Sequence, residues 1–196
     1  MLSNFRKSVT LIELLIAITL LSVIILAINN VSVFSRYHFV STDRRAKIQN
    51  DASRCLEHIT KYASQAIGNE AVFGTNTAIY TGTNVLTFFM DANANGLRES
   101  SQDYWVGYRL NSSTYQLEYC NRCSNLTCSA CAGTTEYLAN DITAFSSTKD
   151  FSQGNYVNAN ITACWDPAQS HALCNTPDNP SVTMNTTINL PSVSTH

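Results

Sequence analysis

Apolar residues fill positions 9 to 28 almost without a break, interrupted only by Thr10, Glu13, Thr19 and Ser22. Twenty helical residues rise about 30 Å, the thickness of a bilayer's hydrocarbon core, so this run is predicted to be a helix of membrane length. Past Ile28 the run gives way to a stripe. Ile48, Ala52, Cys55, Ile59, Tyr62 and Ala66 recur at spacings of four, three, four, three and four, which is one face of an amphipathic helix. Asp43, Arg44, Arg45, Lys47, Asp51, Arg54, Glu57 and Lys61 take the other sides, as solvated positions do. No proline or glycine occurs before Gly68, so the pattern predicts one helix from Val9 to about Ile67, about 88 Å long at 1.5 Å per residue. Asn29 and Asn30, poor helix formers, are its weakest point and are expected to fray.

From Gly68 the helical period is replaced by short β-rich runs between Gly, Asn, Asp and Ser. Val85–Met90, Tyr104–Leu110 and Tyr115–Tyr119 read as an antiparallel meander, extended by runs at 142–145, 160–165 and 182–190. In the last run Val182, Met184, Thr186, Ile188 and Leu190 share one side, opposite Thr183, Asn185, Thr187 and Asn189. Laying the stripe of residues 48 to 66 across this sheet gives an α+β fold, a long N-terminal helix packed on an antiparallel β-sheet head in a lollipop shape. The expected organisation is a leader at 1–8, a membrane half of the helix at 9–28, an amphipathic half at 29–67 and a head at 68–196 with a cysteine-rich loop at 120–131.

Composition narrows the function. With 13% charged residues, a net charge of −2 and a pI near 6.0, the chain is neither a disordered polyampholyte nor a strong nucleic-acid binder. No P-loop, dinucleotide loop or nucleophile elbow is present, and His38, His58, His171 and His196 are scattered, so no catalytic residue is assigned and no enzyme is expected. Seven cysteines fit an oxidising compartment.

Residues 1 to 8 carry Arg6 and Lys7 and no acid, which holds the N-terminus of the apolar helix in the cytoplasm. A cleaved signal peptide would have a shorter apolar region, of about 7 to 15 residues, ending at a small-residue site. Glu13 stands out, because a carboxylate within such a helix costs about 2.5–3.5 kcal/mol and so calls for a function and a cationic partner.

The segment Arg6-Lys7-Ser8-Val9-Thr10-Leu11-Ile12-Glu13-Leu14-Leu15-Ile16 resembles the N-terminal motif of type IV pilins and type II secretion pseudopilins. The resemblance implies a prepilin peptidase that cuts between Ser8 and Val9 and methylates the new amine of Val9. Ser8 stands where that family usually has glycine, and Val9 where it usually has phenylalanine. It also implies that Glu13 attracts the N-terminal amine of a neighbouring subunit, which stays cationic on methylation. The implied partners are other pilins or pseudopilins through helix packing, an inner-membrane assembly platform, and the lipid bilayer before assembly. The implied location is the bacterial inner membrane, single-pass with a cytoplasmic N-terminus, and then a periplasmic or cell-surface filament.

Two further constellations carry chemistry. Asp91, Asn93 and Asn95 alternate before Gly96, a layout that wraps calcium, with the Leu97 carbonyl and Glu99 or Asp103 completing the ligands; a plain hairpin turn at Asn95-Gly96 is the alternative. Such loops recur in minor subunits of the J and W types within the resembled family. Cys120-x-x-Cys123-x4-Cys128-x-x-Cys131 could hold zinc, but the close spacing of the two pairs and an exported location favour disulfides, nested or consecutive. Cys164 and Cys174 are expected to staple the loop before the last strand. Cys55 is left over on the apolar stripe, as a buried thiol or as a bridge to the 120–131 loop or another subunit. The reading is a minor pilin or pseudopilin acting in filament initiation or at the tip; the alternative is a membrane-anchored binding module, an adhesin or DNA-uptake receptor displayed on such a filament.

Overall fold

The computed structural model describes residues 10–66, 78–93, 102–150, 156–168 and 174–190. The chain divides into two units, Met1–Thr42 and Asp43–His196, and one helix, α1 (Leu11–Ala63), contributes residues to both. In the first unit no described residue is buried. An 18-residue window of α1 has a mean hydropathy of 2.9, so the helix is long and apolar enough to cross a membrane. Thr19 and Ser22, in its apolar run, fit that setting: Thr19 Oγ1 donates to the Ile16 carbonyl and Ser22 Oγ to the Ile18 carbonyl, both at 2.8 Å, so neither needs water. The expected fraying at Asn29 and Asn30 is corrected, since both residues are helical. Two weak formers do not stop a helix already propagating from strong neighbours on either side.

In the second unit α1 buries Ile48, Ala52, Cys55, Leu56, Ile59 and Ala63, the predicted stripe with Leu56 and Ala63 added, Tyr62 only half-buried and Ala66 buried just past the helix. The helix ends at Ala63, short of the expected Ile67; a turn follows, and Ala66 forms a β-bridge with Met90. Arg44 departs from its expected place on a solvated face. It is half-buried, its guanidinium lies 5.4 Å from the centre of the Trp165 ring beside Lys47 Nζ at 4.9 Å, and it donates to the Asp178 carbonyl.

The strands form two antiparallel sheets where one was expected. The first runs β1 (Ile79–Gly82), β2 (Val85–Met90), β3 (Tyr104–Asn111), β4 (Gln116–Cys123) and β5 (Thr135–Ala139), in that order. The second runs β6 (Ile142–Asp150), β7 (Tyr156–Cys164) and β8 (Ser181–Asn189). The break falls at Asp141, whose φ of 65° turns the chain out of the first sheet. The sheets stay joined where the Asn84 amide donates to the Phe145 carbonyl at 2.9 Å and Ser147 Oγ donates to the Val85 carbonyl at 3.0 Å. Helix and both sheets share one core, whose buried members include Ile59 from the helix, Leu86, Tyr108 and Leu117 from the first sheet, and Phe145 and Ile161 from the second. In β8 only Ile188 is buried, and Thr183, Asn185, Thr187 and Asn189 are exposed, so the predicted alternation holds.

Three disulfides close in this unit: Cys120–Cys131, Cys123–Cys128 nested within it, and Cys164–Cys174. The loop held by the third is organised by buried Asn179, which accepts from the Asp166 amide at 2.8 Å and donates to the Asp166 carbonyl at 3.0 Å. Cys55 is free and 1% exposed, and burial pushes its thiol up to about 12. No bridge to the 120–131 loop forms.

An aromatic cluster fastens the helix to the first sheet. His58 packs against Tyr62, Tyr108 and Tyr119, with ring centres 4.8, 5.8 and 4.7 Å away. The Tyr108 hydroxyl donates to the His58 carbonyl at 3.1 Å and lies 3.0 Å from His58 Nδ1. With its one proton so committed it accepts from Nδ1–H, which places a proton of the imidazole on Nδ1. Burial pushes both the Tyr108 and Tyr119 phenols well above their usual range.

Two predictions follow from this packing. Burial holds the His58 pKa below its ordinary 6.5, against the pull of Glu136 and with the help of Lys61. The unfolded chain therefore takes up the proton first. The stabilising contribution of the neutral ring is complete above about pH 6.5 and is lost as pH falls from there towards the folded value. Denaturant midpoints measured from pH 8 down to 5 are expected to fall more steeply for the wild type than for His58→Gln. For Cys55, iodoacetamide at pH 8 is expected to leave the native protein unlabelled and to add a single label after denaturation without reduction. Labelling of the native protein would contradict the burial, and a second label would contradict the three disulfides.

Candidate functional site

Glu13 lies in the first turn of α1, and its side chain folds back on that turn. Glu13 Oε2 accepts from the Thr10 amide at 2.9 Å and from Thr10 Oγ1 at 3.0 Å, and Thr10 Oγ1 is 3.3 Å from the Glu13 amide, which donates to it. This is a reciprocal capping box, in which a Thr at the N-cap and a Glu three residues on satisfy two amides that a helix start leaves unpaired. The two bonds that the carboxylate accepts from Thr10 fall on one oxygen, and Oε1 takes part in neither. The Thr10-x-x-Glu13 spacing carries this capping signal in the sequence itself. Ser8 and Val9 lie outside the described residues.

The calcium loop is only partly described. Ala92 N–H donates to Asp103 Oδ1 at 3.2 Å, Asn93 N–H to Asp91 Oδ1 at 3.2 Å, and Asn93 Nδ2 to Gln102 Oε1 at 3.1 Å. These bonds bring Asp91, Asn93 and Asp103 to the mouth of one loop. Asn95, Leu97 and Glu99 lie outside the described residues.

The cysteine-rich segment covers the outer face of the first sheet, opposite the helix. The Sγ atoms of Cys120, Cys123 and Cys128 lie within 4.8 Å of one another, a spacing that could suit zinc, but all three are consumed in disulfides and offer no thiolate. The cover explains an irregularity in β2, where five successive residues, Leu86 to Met90, are buried instead of alternate ones. Leu86 and Phe88 face the helix. Thr87, on the other side, donates to the Leu126 carbonyl of the cysteine loop at 2.6 Å, and Phe89 packs edge-on to Trp105 with ring centres 5.0 Å apart.

Gly107 makes that cover possible. A Cβ there would sit 2.5 Å from Cys123 Sγ and 2.6 Å from Cys128 Sγ, so only glycine lets the inner disulfide lie flat on β3. Beside it, Arg109 pairs with nearly buried Glu118 at 2.6 Å and donates to the Ser129 carbonyl at 3.2 Å, tying sheet to loop. Nothing in the sequence singled out Gly107 among the seven glycines.

Residues 4–29 match the prokaryotic N-terminal methylation motif. No curated protein and no solved structure matches the chain. Proteins that carry this motif are structural rather than enzymatic, and the match supports kinship with type IV pilin-like proteins; together with the apolar helix it fits a membrane-anchored chain of that kind.

Proposed function

We propose that the chain is a minor pilin or pseudopilin, a structural subunit that assembles through α1 into a type IV pilus or type II secretion filament and acts in its initiation or at its tip. The observation that carries this reading is Glu13, an acid set in an apolar helix within the methylation motif. Cleavage before Val9 creates an α-amine that stays cationic after methylation. In the assembled filament that amine approaches Glu13 Oε1 of a neighbouring copy or relative, while Oε2 keeps its bonds to Thr10. An ion pair formed away from water sets register more than it adds stability, which suits an axial stagger repeated subunit by subunit. The exposed apolar residues of α1 meet lipid before assembly and other helices afterwards. The compact, disulfide-stapled head fits a specialised subunit. The prepilin peptidase and the inner-membrane platform are the other partners that this role requires.

Glu13→Gln separates charge from capping, because glutamine still closes a capping box whereas alanine does not. Glu13→Gln and Glu13→Ala are both expected to enter the membrane and to be absent from sheared filaments, and wild-type filaments are expected to yield an N-methylated Val9 peptide by mass spectrometry. Glutamine-bearing subunits assembling at wild-type levels would overturn the role of the charge.

We further propose that the loop at 91–103 takes calcium through Asp91, Asn93, Asn95, the Leu97 carbonyl and Glu99 or Asp103, at the weak end of about 10⁻⁴ to 10⁻³ M. Calorimetry of the full-length protein in detergent is expected to show saturable heat in that range, reduced in Asp91→Asn; a flat titration removes the site.

A further inference from the structure

At one end of the first sheet, the last residues of β2, the first of β3 and the last of β4 form a half-open cavity of about 260 Å³ lined by Phe89, Asp103, Tyr104, Trp105, Arg122 and Ser124 together with Cys123. Neither the methylation motif nor the assembly reading gives it a role. Its volume falls just under the roughly 300 Å³ at which pockets for drug-sized ligands begin, so it suits a single ring better than an extended chain. Its wall combines three aromatic side chains with one carboxylate and one guanidinium. Trp105 is half-buried and braced edge-on by buried Phe89 at 5.0 Å between ring centres, and Arg122 lies 5.7 Å from the centre of the Tyr104 ring. Asp103 is 5% exposed and holds the Ala92 amide through Oδ1.

The two disulfides pre-organise this wall. Arg122 lies between Cys120 and Cys123, each in its own bridge, and its carbonyl accepts from the Ala132 amide at 2.8 Å and the Gly133 amide at 3.1 Å. Ser124 is fixed as firmly, its amide and its hydroxyl both donating to the Ala130 carbonyl at 3.0 and 2.9 Å. Backbone held in this way loses little entropy when a ligand arrives.

We propose that this cavity is a binding site for a neutral saccharide, one sugar ring lying against Trp105 with its hydroxyls bonded by Arg122 and Asp103. The wall itself argues for the class. An apolar ring face matches an indole, and a carboxylate and a guanidinium carried on a held backbone supply donors and acceptors to a ligand rich in both. The formal charges of Arg122 and Asp103 cancel, and the carboxylate opposes an anionic ligand such as a phosphate or an acidic sugar.

The test uses the full-length protein in a detergent without a sugar headgroup, applied to an array of neutral and acidic glycans and then titrated with the best ligand by saturation-transfer NMR. Neutral glycans are expected to be retained, with transfer to the sugar ring reduced in Trp105→Phe. Arg122 is exposed and its side chain lies outside the core, so Arg122→Ala leaves the fold intact; loss of charged hydrogen bonds is expected to weaken binding by at least about tenfold. Binding that persists in EDTA distinguishes this site from the calcium loop. Retention of no glycan, retention of acidic glycans alone, or unchanged binding in both variants overturns the proposal and leaves the assembly role standing.

Discussion

A carboxylate three positions into an apolar helix is the constraint on which the rest of this protein's behaviour depends. Left alone in hydrocarbon, it would cost about 2.5–3.5 kcal/mol. The structure meets part of that demand locally, through the Thr10 amide and hydroxyl on Oε2. That partial answer allows the segment to sit in a bilayer at all, and it aims the side chain at the N-terminus of its own helix. Capping also matches charge to dipole, since a negative group is favoured at the positive end of a helix. The remaining demand is for a cation, and nothing on the described part of this helix turn supplies one. In the proposed assembly, a neighbour that brings an α-amine completes a site that is half built within one chain.

The head solves a different problem. A helix covers only one face of a five-stranded sheet, and a sheet with its other face bare would expose Thr87, Phe89, Trp105 and Gly107 to water. The chain covers that face with the short segment that leaves β4 at Cys123 and runs to Cys131, closed by two nested bridges. So short a segment contains too few apolar side chains to hold itself down by burial. Covalent closure removes the entropy that would otherwise lift it away. Gly107 follows directly, because a flat cover needs a flat seat. Thr87 and Arg109 then bond the cover to the sheet through backbone carbonyls of Leu126 and Ser129.

The elements legible in the sequence were those with a strong period or a long apolar run. The stripe from Ile48 to Ala66 and the strands β2 and β3 stood out for that reason. What escaped was short, at an edge or dependent on contacts distant in sequence. β1 has four residues, and β5 reads Thr-Glu-Tyr-Leu-Ala with its first three residues exposed, so neither shows alternation. Division into two sheets rests on a single positive φ at Asp141, which any Asn-Asp turn could have hidden. Arg44 looked solvated because its partners, Trp165 and the Asp178 carbonyl, lie more than a hundred residues along the chain. The candidate sites divide the same way. Glu13 was visible as an anomaly against its neighbours, whereas the cavity at the ends of β2, β3 and β4 exists only once three separated segments are paired.

The capping box and the stapled head rest on one principle, that geometry is fixed before a partner arrives. Thr10 fixes the Glu13 carboxylate, and the nested bridges hold the backbone that carries Arg122 and Ser124. In each case the chain spends its ordering entropy during folding, so that a later encounter costs less. The two differ in what they leave open. The carboxylate leaves one oxygen and a net charge, which selects a cation and is sensitive to the medium around it. The cavity leaves rings and a cancelled pair of formal charges, which, in the site proposed above, would select shape and hydroxyl pattern over charge. On the two proposals together, the helix of such a chain chooses its neighbours and its head chooses a ligand.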